Sequence, residues 1–211
     1  MVQTKNQINK IFSTAYLPPI EYLSAFVQAD KVLIEYQESF IKQTYRNRCV
    51  IPTANGLLPL TIPIKKNGLH NCPINQIQID YSQPWQRTHW RAIETAYNTS
   101  PFFLYYRDYF EPFYIQQNIT YLFEYNLQLF NLILQLFGIQ KSYKPTSEYI
   151  SIYDKETEDL RQTIHPKEKQ NKFIFPSYRQ VFAERFGFIP NMSSIDLLFN
   201  EGRFAMEYLV I

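Results

Sequence analysis

Lys42, Thr44, Arg46 and Arg48 alternate along the segment just ahead of an apolar hairpin signalled by Asn55-Gly56. In extended backbone all four side chains share one face, a strip of charge-assisted donors suited to phosphate or carboxylate. The same spacing describes a solvated sheet edge whose cations discourage pairing with another chain. His89 is the best general acid or base, because only imidazole has an unperturbed pKa near neutrality. It also shares an apolar helical face with Trp85 and Ile93, where a histidine is commonly a satisfied core residue.

Other chemistries find less support. Three scattered histidines and the separated Cys49 and Cys72 make no metal-ligand spacing, and Glu35 with Glu38 reads as a strand end, so no metal site is expected. Cys49 in a strand reads as a packing thiol, and Ser100 has no motif around it. Tyr16-Leu17-Pro18-Pro19 stands at a strand-to-helix turn of the kind that binds nucleotides. The chain, however, has no GxGxxG, P-loop or HxGH, and a proline there removes a backbone donor.

The elements that must position these residues follow from patterning. Ile11 to Ala15 predicts a strand, Pro18-Pro19 a helix start and Lys31 to Tyr36 a second strand, giving a β-turn-α-β opening. Asn47 to Pro52 and Leu57 to Ile64 predict a hairpin about Asn55-Gly56, with Pro59 and Pro63 marking an edge. Ile74 to Asp80 predicts another strand. Trp85, His89, Ile93 and Ala96 fall on one helical face before Pro101, which is expected to end that helix. In Asn118 to Phe137, Glu124, Gln128, Asn131 and Gln135 form one polar stripe on an otherwise apolar helix that ends at Gly138. Ser193-x-x-Asp196 resembles a capping box opening a last helix. The expected fold is α/β (or α+β): one mixed-sheet domain over residues 1–211, with an exposed excursion at 142–172 that is rich in charges of both signs.

Composition excludes several functions. Twenty-one Lys and Arg against 19 Asp and Glu give a net charge of +2, too weak a field for duplex nucleic acid. Single-strand binding by aromatic stacking beside Lys42, Arg46 and Arg48 is the least favoured reading for the same reason. Met1 to Lys10 is polar, and Phe130 to Ile139 is interrupted by Asn131 and Gln135, so a cytoplasmic protein with no membrane span is expected. The 17 Tyr and 17 Phe need burial or a partner surface.

Taken in order, Tyr16-Leu17-Pro18-Pro19, Ala29-Asp30, Phe40-x-Lys42, Asn47-Arg48, Asn55-Gly56 and Leu60 to Ile64 resemble the amino-terminal half of the WbqC-like proteins. Trp85-x-x-x-His89-Trp90-x-x-Ile93-x-x-x-Tyr97 with Ser100-Pro101-Phe102-Phe103 is similar to the family's central motif, and Phe188 to Gly202 to its terminal one. The resemblance runs from Tyr16 to Leu209, with Ser142 to Lys172 unmatched. It implies a bacterial protein linked to cell-surface polysaccharide or O-antigen biosynthesis, with a transfer reaction on an activated sugar as the natural form. On that reading Lys42 and Arg48 hold an anionic substrate such as a sugar nucleotide, Asn47 orients it and His89 moves the proton. Tyr16, Tyr45, Trp85, Tyr97 and Phe103 would line the pocket, and Asp196 would contribute to it. No cofactor or oligomeric state is implied. Relatives carry a His-Gln-Pro-Asn-like stretch where this chain has Ser13-Thr14-Ala15. That departure, with the aromatic surplus, motivates the alternative of a noncatalytic small-molecule- or protein-binding scaffold.

Overall fold

The computed structural model describes residues 8–66, 71–115, 119–167 and 175–209. His70, the first residues of the polar amino terminus and the last five of the 142–172 excursion lie outside them.

Strand β1 (Asn9–Ser13) leads through Tyr16-Leu17-Pro18-Pro19 into helix α1 (Ile20–Gln28), and β2 (Lys31–Glu35) follows, as the patterning predicts. β1 and β2 pair in parallel, with Ser13 opposite Glu35. Ile11 and Phe12 are both inaccessible, as befits a central parallel strand covered on both faces. Pro19 caps α1 where no amide donor is needed. The predicted hairpin is β3 (Arg48–Thr53) and β4 (Gly56–Thr61), a separate two-stranded sheet whose turn places Gly56 at φ +103°.

Two local expectations are corrected. Residues 40–47 form turns rather than a strand, with Gln43 at φ +61°, so Lys42, Thr44, Arg46 and Arg48 do not share a face. Lys42 is exposed, whereas Thr44 and Arg46 are buried. Ile74 to Asp80 is a single 3-10 turn, Ile74–Gln76, followed by isolated bridges from Gln78 to Tyr121 and Ile79 to Ile64. Its isoleucines are packing residues without a strand partner long enough to propagate a ladder.

Helix α2 (Trp85–Tyr97) stops four residues short of Pro101, and α3 (Phe103–Phe110), α4 (Pro112–Ile115) and α5 (Leu122–Leu136) follow. Gly138, at φ +71°, ends the α5 segment. Many of the described residues 142–167 are exposed, yet two short strands among them join the parallel sheet. β5 (Lys144–Pro145) pairs with β2, and β6 (Thr157–Asp159) pairs with β1, giving the order β5-β2-β1-β6. Helices α6 (Ala183–Phe186) and α7 (Ser194–Glu201) and a final 3-10 turn, Gly202–Tyr208, complete the described chain.

One continuous apolar cluster runs from Phe12 to Leu209. Phe26 of α1 meets Phe130 of α5 edge-on at 5.1 Å. Phe199 of α7 is ringed by Tyr97, Phe103 and Phe110 at 5.2, 5.2 and 5.5 Å. Lys141 caps the end of α1 through the carbonyls of Val27 and Ala29. Among the described residues, no helix is long and apolar enough to cross a membrane.

Candidate functional site

The chain moves from β1 to β2 to β5 in one direction across the sheet, then crosses to β6 on the far side of β1. In parallel sheets, ligands bind outside the carboxyl ends of the strands at such a reversal. Here those ends carry Ser13, Glu35, Thr146 and the Asp159-to-Arg161 turn, and between them lies a buried polar network.

Arg46 forks onto Glu38, with Nε 2.8 Å from Oε1 and one terminal nitrogen 2.5 Å from Oε2. That nitrogen also reaches the Ser13 hydroxyl at 2.6 Å and the Arg161 carbonyl at 3.3 Å. The Ser13 proton can go to Glu38 Oε2 or to the Arg161 carbonyl, each 3.2 Å away. Arg161 in turn donates to Glu35 at 3.0 Å and grips Asp159 through two nitrogens. Glu35 is fully buried and is completed by the Thr146 hydroxyl at 2.6 Å and the Gln37 amide at 2.8 Å. The rings of Tyr149 and Tyr153 stand 5.0 and 5.2 Å from the Arg161 guanidinium. Burial works against the charge on Arg161, but Asp159, Tyr149 and Glu35 outweigh it and raise its pKa. Burial likewise works against charge on Asp159, and its hydrogen bonds from Arg161 prevail and lower its pKa.

Ser13, Thr14, Tyr45, Arg46 and Arg161 surround a cavity of about 10 Å³, room for roughly one water-sized group. The turn that follows Ser13–Ala15 is strained, because Leu17 adopts φ +43° immediately before Pro18. The carboxyl-terminal segment holds it there. Ser193 Oγ donates to the Leu17 carbonyl at 2.9 Å, and the amides of Ser194 and Ile20 bond Pro18 and Met192. The capping-box expectation for Ser193 and Asp196 is therefore corrected: Ser193 makes no side-chain cap and instead clamps the β1–α1 turn.

The residues singled out in the sequence fall in several places. Tyr45 lines the strand-end cavity, and burial, with Glu21 and Cys49 nearby, pushes its phenol up to about 12. Tyr16, Trp85 and His89 meet in the core. The Tyr16 hydroxyl lies 3.0 Å from His89 Nδ1 and 2.9 Å from the Tyr114 hydroxyl, and Trp85 packs edge-on to His89 at 5.1 Å. Burial lowers the His89 pKa to about 4, only partly opposed by its bond to the Thr61 backbone. The imidazole is thus neutral, hydrogen-bonded and 5% exposed, and proton transfer from it would require the core to open.

Tyr97, Phe103 and Asp196 form a third group around α7. Asp196 accepts from Tyr178 at 2.5 Å and Gln180 at 2.9 Å. Burial raises its pKa, opposed by those bonds and by Tyr97. Phe103 is a core ring packed on Phe199. Asn47 knits the hairpin, donating to the Ile62 carbonyl at 2.9 Å, and half-buried Arg48 donates to Thr61 Oγ1 at 3.1 Å. Lys42 is exposed. The structure brings Tyr16, His89 and Trp85 together, and Thr61 links them to the hairpin, its backbone bonded to His89 and its hydroxyl to Arg48.

Ser13, Glu35, Glu38 and Arg161 are not among the site residues that sequence patterning singles out, and Arg46 enters there only as one cation of an exposed strip. One signal is present: Val32 to Glu35 ends an apolar strand on a carboxylate, at the end of a parallel strand where function concentrates.

A model of the WbqC-like protein family matches residues 14–176. The match runs through the 142–172 stretch, correcting the expectation that Ser142 to Lys172 falls outside the resemblance, and stops before the Phe188 to Gly202 segment. An uncharacterised protein of Mycobacterium tuberculosis (strain ATCC 25618 / H37Rv), Rv1507c, is 28% identical over 223 aligned positions, covering 94% of this chain and 96% of that protein. No solved structure matches the chain.

Proposed function

This chain belongs to the WbqC-like protein family, and from that premise we propose that it is a cytoplasmic, transferase-type enzyme acting on an activated sugar or related anionic metabolite in bacterial cell-surface polysaccharide biosynthesis. The observation that supports this most is the meeting of Ser13, Glu38, Arg46 and Arg161 at the reversal of the parallel sheet. The cavity there holds about one water and both guanidiniums are already matched to carboxylates, so a phosphate or carboxylate would enter only as the strand-end loops part and it takes the place of Asp159 or Glu38. Tyr45 lines the same cavity and would pack on the rest of the molecule. The His-Gln-Pro-Asn-like stretch of relatives corresponds to Ser13-Thr14-Ala15, which supplies a hydroxyl in its place. His89 supports the β1–α1 turn through Tyr16 in this proposal.

The test is a chromatographic assay of nucleotide release from a panel of sugar nucleotides by the wild type and by Ser13→Ala. Turnover of one donor by the wild type, reduced in the variant with folding intact, is expected; release from none of them would overturn the transferase reading. A noncatalytic binding role is the second reading, favoured by one observation. Leu104, Tyr105, Tyr109 and Ile115 are 66%, 70%, 46% and 64% exposed across α3 and α4.

A further inference from the structure

On the outer side of β2 and β5 lies a second cavity, about 500 Å³, between the strand ends and α5. Tyr36, Tyr121 and Phe123 give it aromatic walls, with the Tyr36 ring edge-on to Phe123 at 4.7 Å. Asn75, Glu124, Gln128 and Asn131 supply its polar groups. The last three belong to the stripe that reads in the sequence as a solvated helix face.

We propose that this cavity binds a neutral saccharide. Its lining contains no lysine or arginine, and its one charge is the Glu124 carboxylate, so phosphate and other anions are disfavoured. An apolar segment docked there would strip water from three amides and a carboxylate without offering partners. A pyranose ring matches both kinds of wall: its C–H face lies on a tyrosine, and its hydroxyls, each both donor and acceptor, meet planar amides.

The amides are also partly oriented. Tyr143 donates to Asn131 Oδ1 at 2.8 Å, which leaves the Asn131 amino end as donor. Gln128 Nε2 donates to Glu124 at 3.3 Å, which leaves its carbonyl as acceptor. Donor and acceptor thus stand three residues apart on one helix face, a spacing suited to neighbouring hydroxyls.

The cavity shares a wall with the strand-end network. Thr146 Oγ1 accepts from the Tyr36 amide at 2.9 Å and donates to Glu35 at 2.6 Å. A sugar on Tyr36 would therefore sit one residue from the buried Glu35–Arg161 pair, the position of an acceptor beside a transfer site. Saccharide binding does not depend on the proposed transfer, because it is read without turnover.

The experiment is saturation-transfer NMR and calorimetry of the full chain with cellobiose, maltotriose and chitotriose at millimolar concentration. Expected is binding of at least one sugar, with saturation concentrated on ring C–H protons. Tyr121→Ala should weaken it by about tenfold. Gln128→Leu should weaken it as well, and Leu57→Ala, exposed on the β3–β4 hairpin and outside the cavity lining, should leave it unchanged. Circular dichroism checks the fold, and Gln128→Leu decides the matter if Tyr121→Ala does not fold. Absence of binding by all three sugars, or equal binding by wild type, Tyr121→Ala and Gln128→Leu, would overturn the proposal.

Discussion

Replacing Glu38 by leucine removes the acceptor that holds Arg46 at two nitrogens, inside a site where both side chains are under 5% exposed. Breaking a buried pair from one side costs about 3–5 kcal/mol, because the remaining charge keeps its desolvation penalty without compensation. Arg46 retains the Ser13 hydroxyl at 2.6 Å and the Arg161 carbonyl at 3.3 Å, so the loss belongs at the lower end, about 3 kcal/mol. In a chain of this size that corresponds to a midpoint lower by about 6–12 °C. The double variant Glu38→Leu/Arg46→Met removes both charges at similar volume and should recover most of the loss. Urea unfolding of the four proteins closes a double-mutant cycle and isolates the coupling. A Glu38→Leu protein within about 0.5 kcal/mol of wild type would refute the reasoning, since an exposed pair is worth only that much.

Other consequences are equally open to measurement. Gly202 sits at φ +59°, where an added Cβ would stand 2.7 Å from the Phe102 ring, so Gly202→Ala should lose about 2 kcal/mol or more in urea melts. His89 has its folded pKa lowered to about 4 from 6.5, so the unfolded chain binds the extra proton between those values. Its stabilising contribution is therefore full above pH 6.5 and is lost as pH falls toward 4, and the pH dependence of stability across that window should flatten in His89→Gln. Cys49 is fully buried with its thiol pushed up by burial, whereas Cys72 is half-buried, so a thiol reagent should modify Cys72 first and reach Cys49 only on unfolding.

Local signals carried much of the fold. Asn55-Gly56 reports a hairpin because the turn needs positive φ and Gly56 supplies it, and Trp85, His89 and Ile93 report a helix because their period matches it. β5 and β6 were not legible. Lys144-Pro145 and Thr157-Glu158-Asp159 have no apolar alternation, and they are strands only because β2 and β1, more than a hundred residues earlier, offer them ladders.

The strand-end network was hidden for the same reason. Arg46 reads as one of three surface cations until Glu38 and the Arg161 carbonyl, 115 residues away, close around it. Glu35 and Glu38 read as a polar strand end until Arg161 and Arg46 bury them. Ser193 had the residue type of a cap, but the strained Leu17 carbonyl competed for its hydroxyl. Spacing along the chain identifies residue types that could bind an anion; which of them meet is decided by long-range pairing of the sheet.

The measurement that tests the central claim most directly is hydrogen–deuterium exchange of the wild-type protein with the sugar nucleotide that most raises its melting midpoint. New protection confined to Ser13–Tyr16, Glu35–Arg46 and Leu160–Ile164 is expected of a ligand held at the carboxyl ends of the parallel strands. Protection centred on the β3–β4 hairpin around Arg48, or no stabilising sugar nucleotide at all, would contradict it.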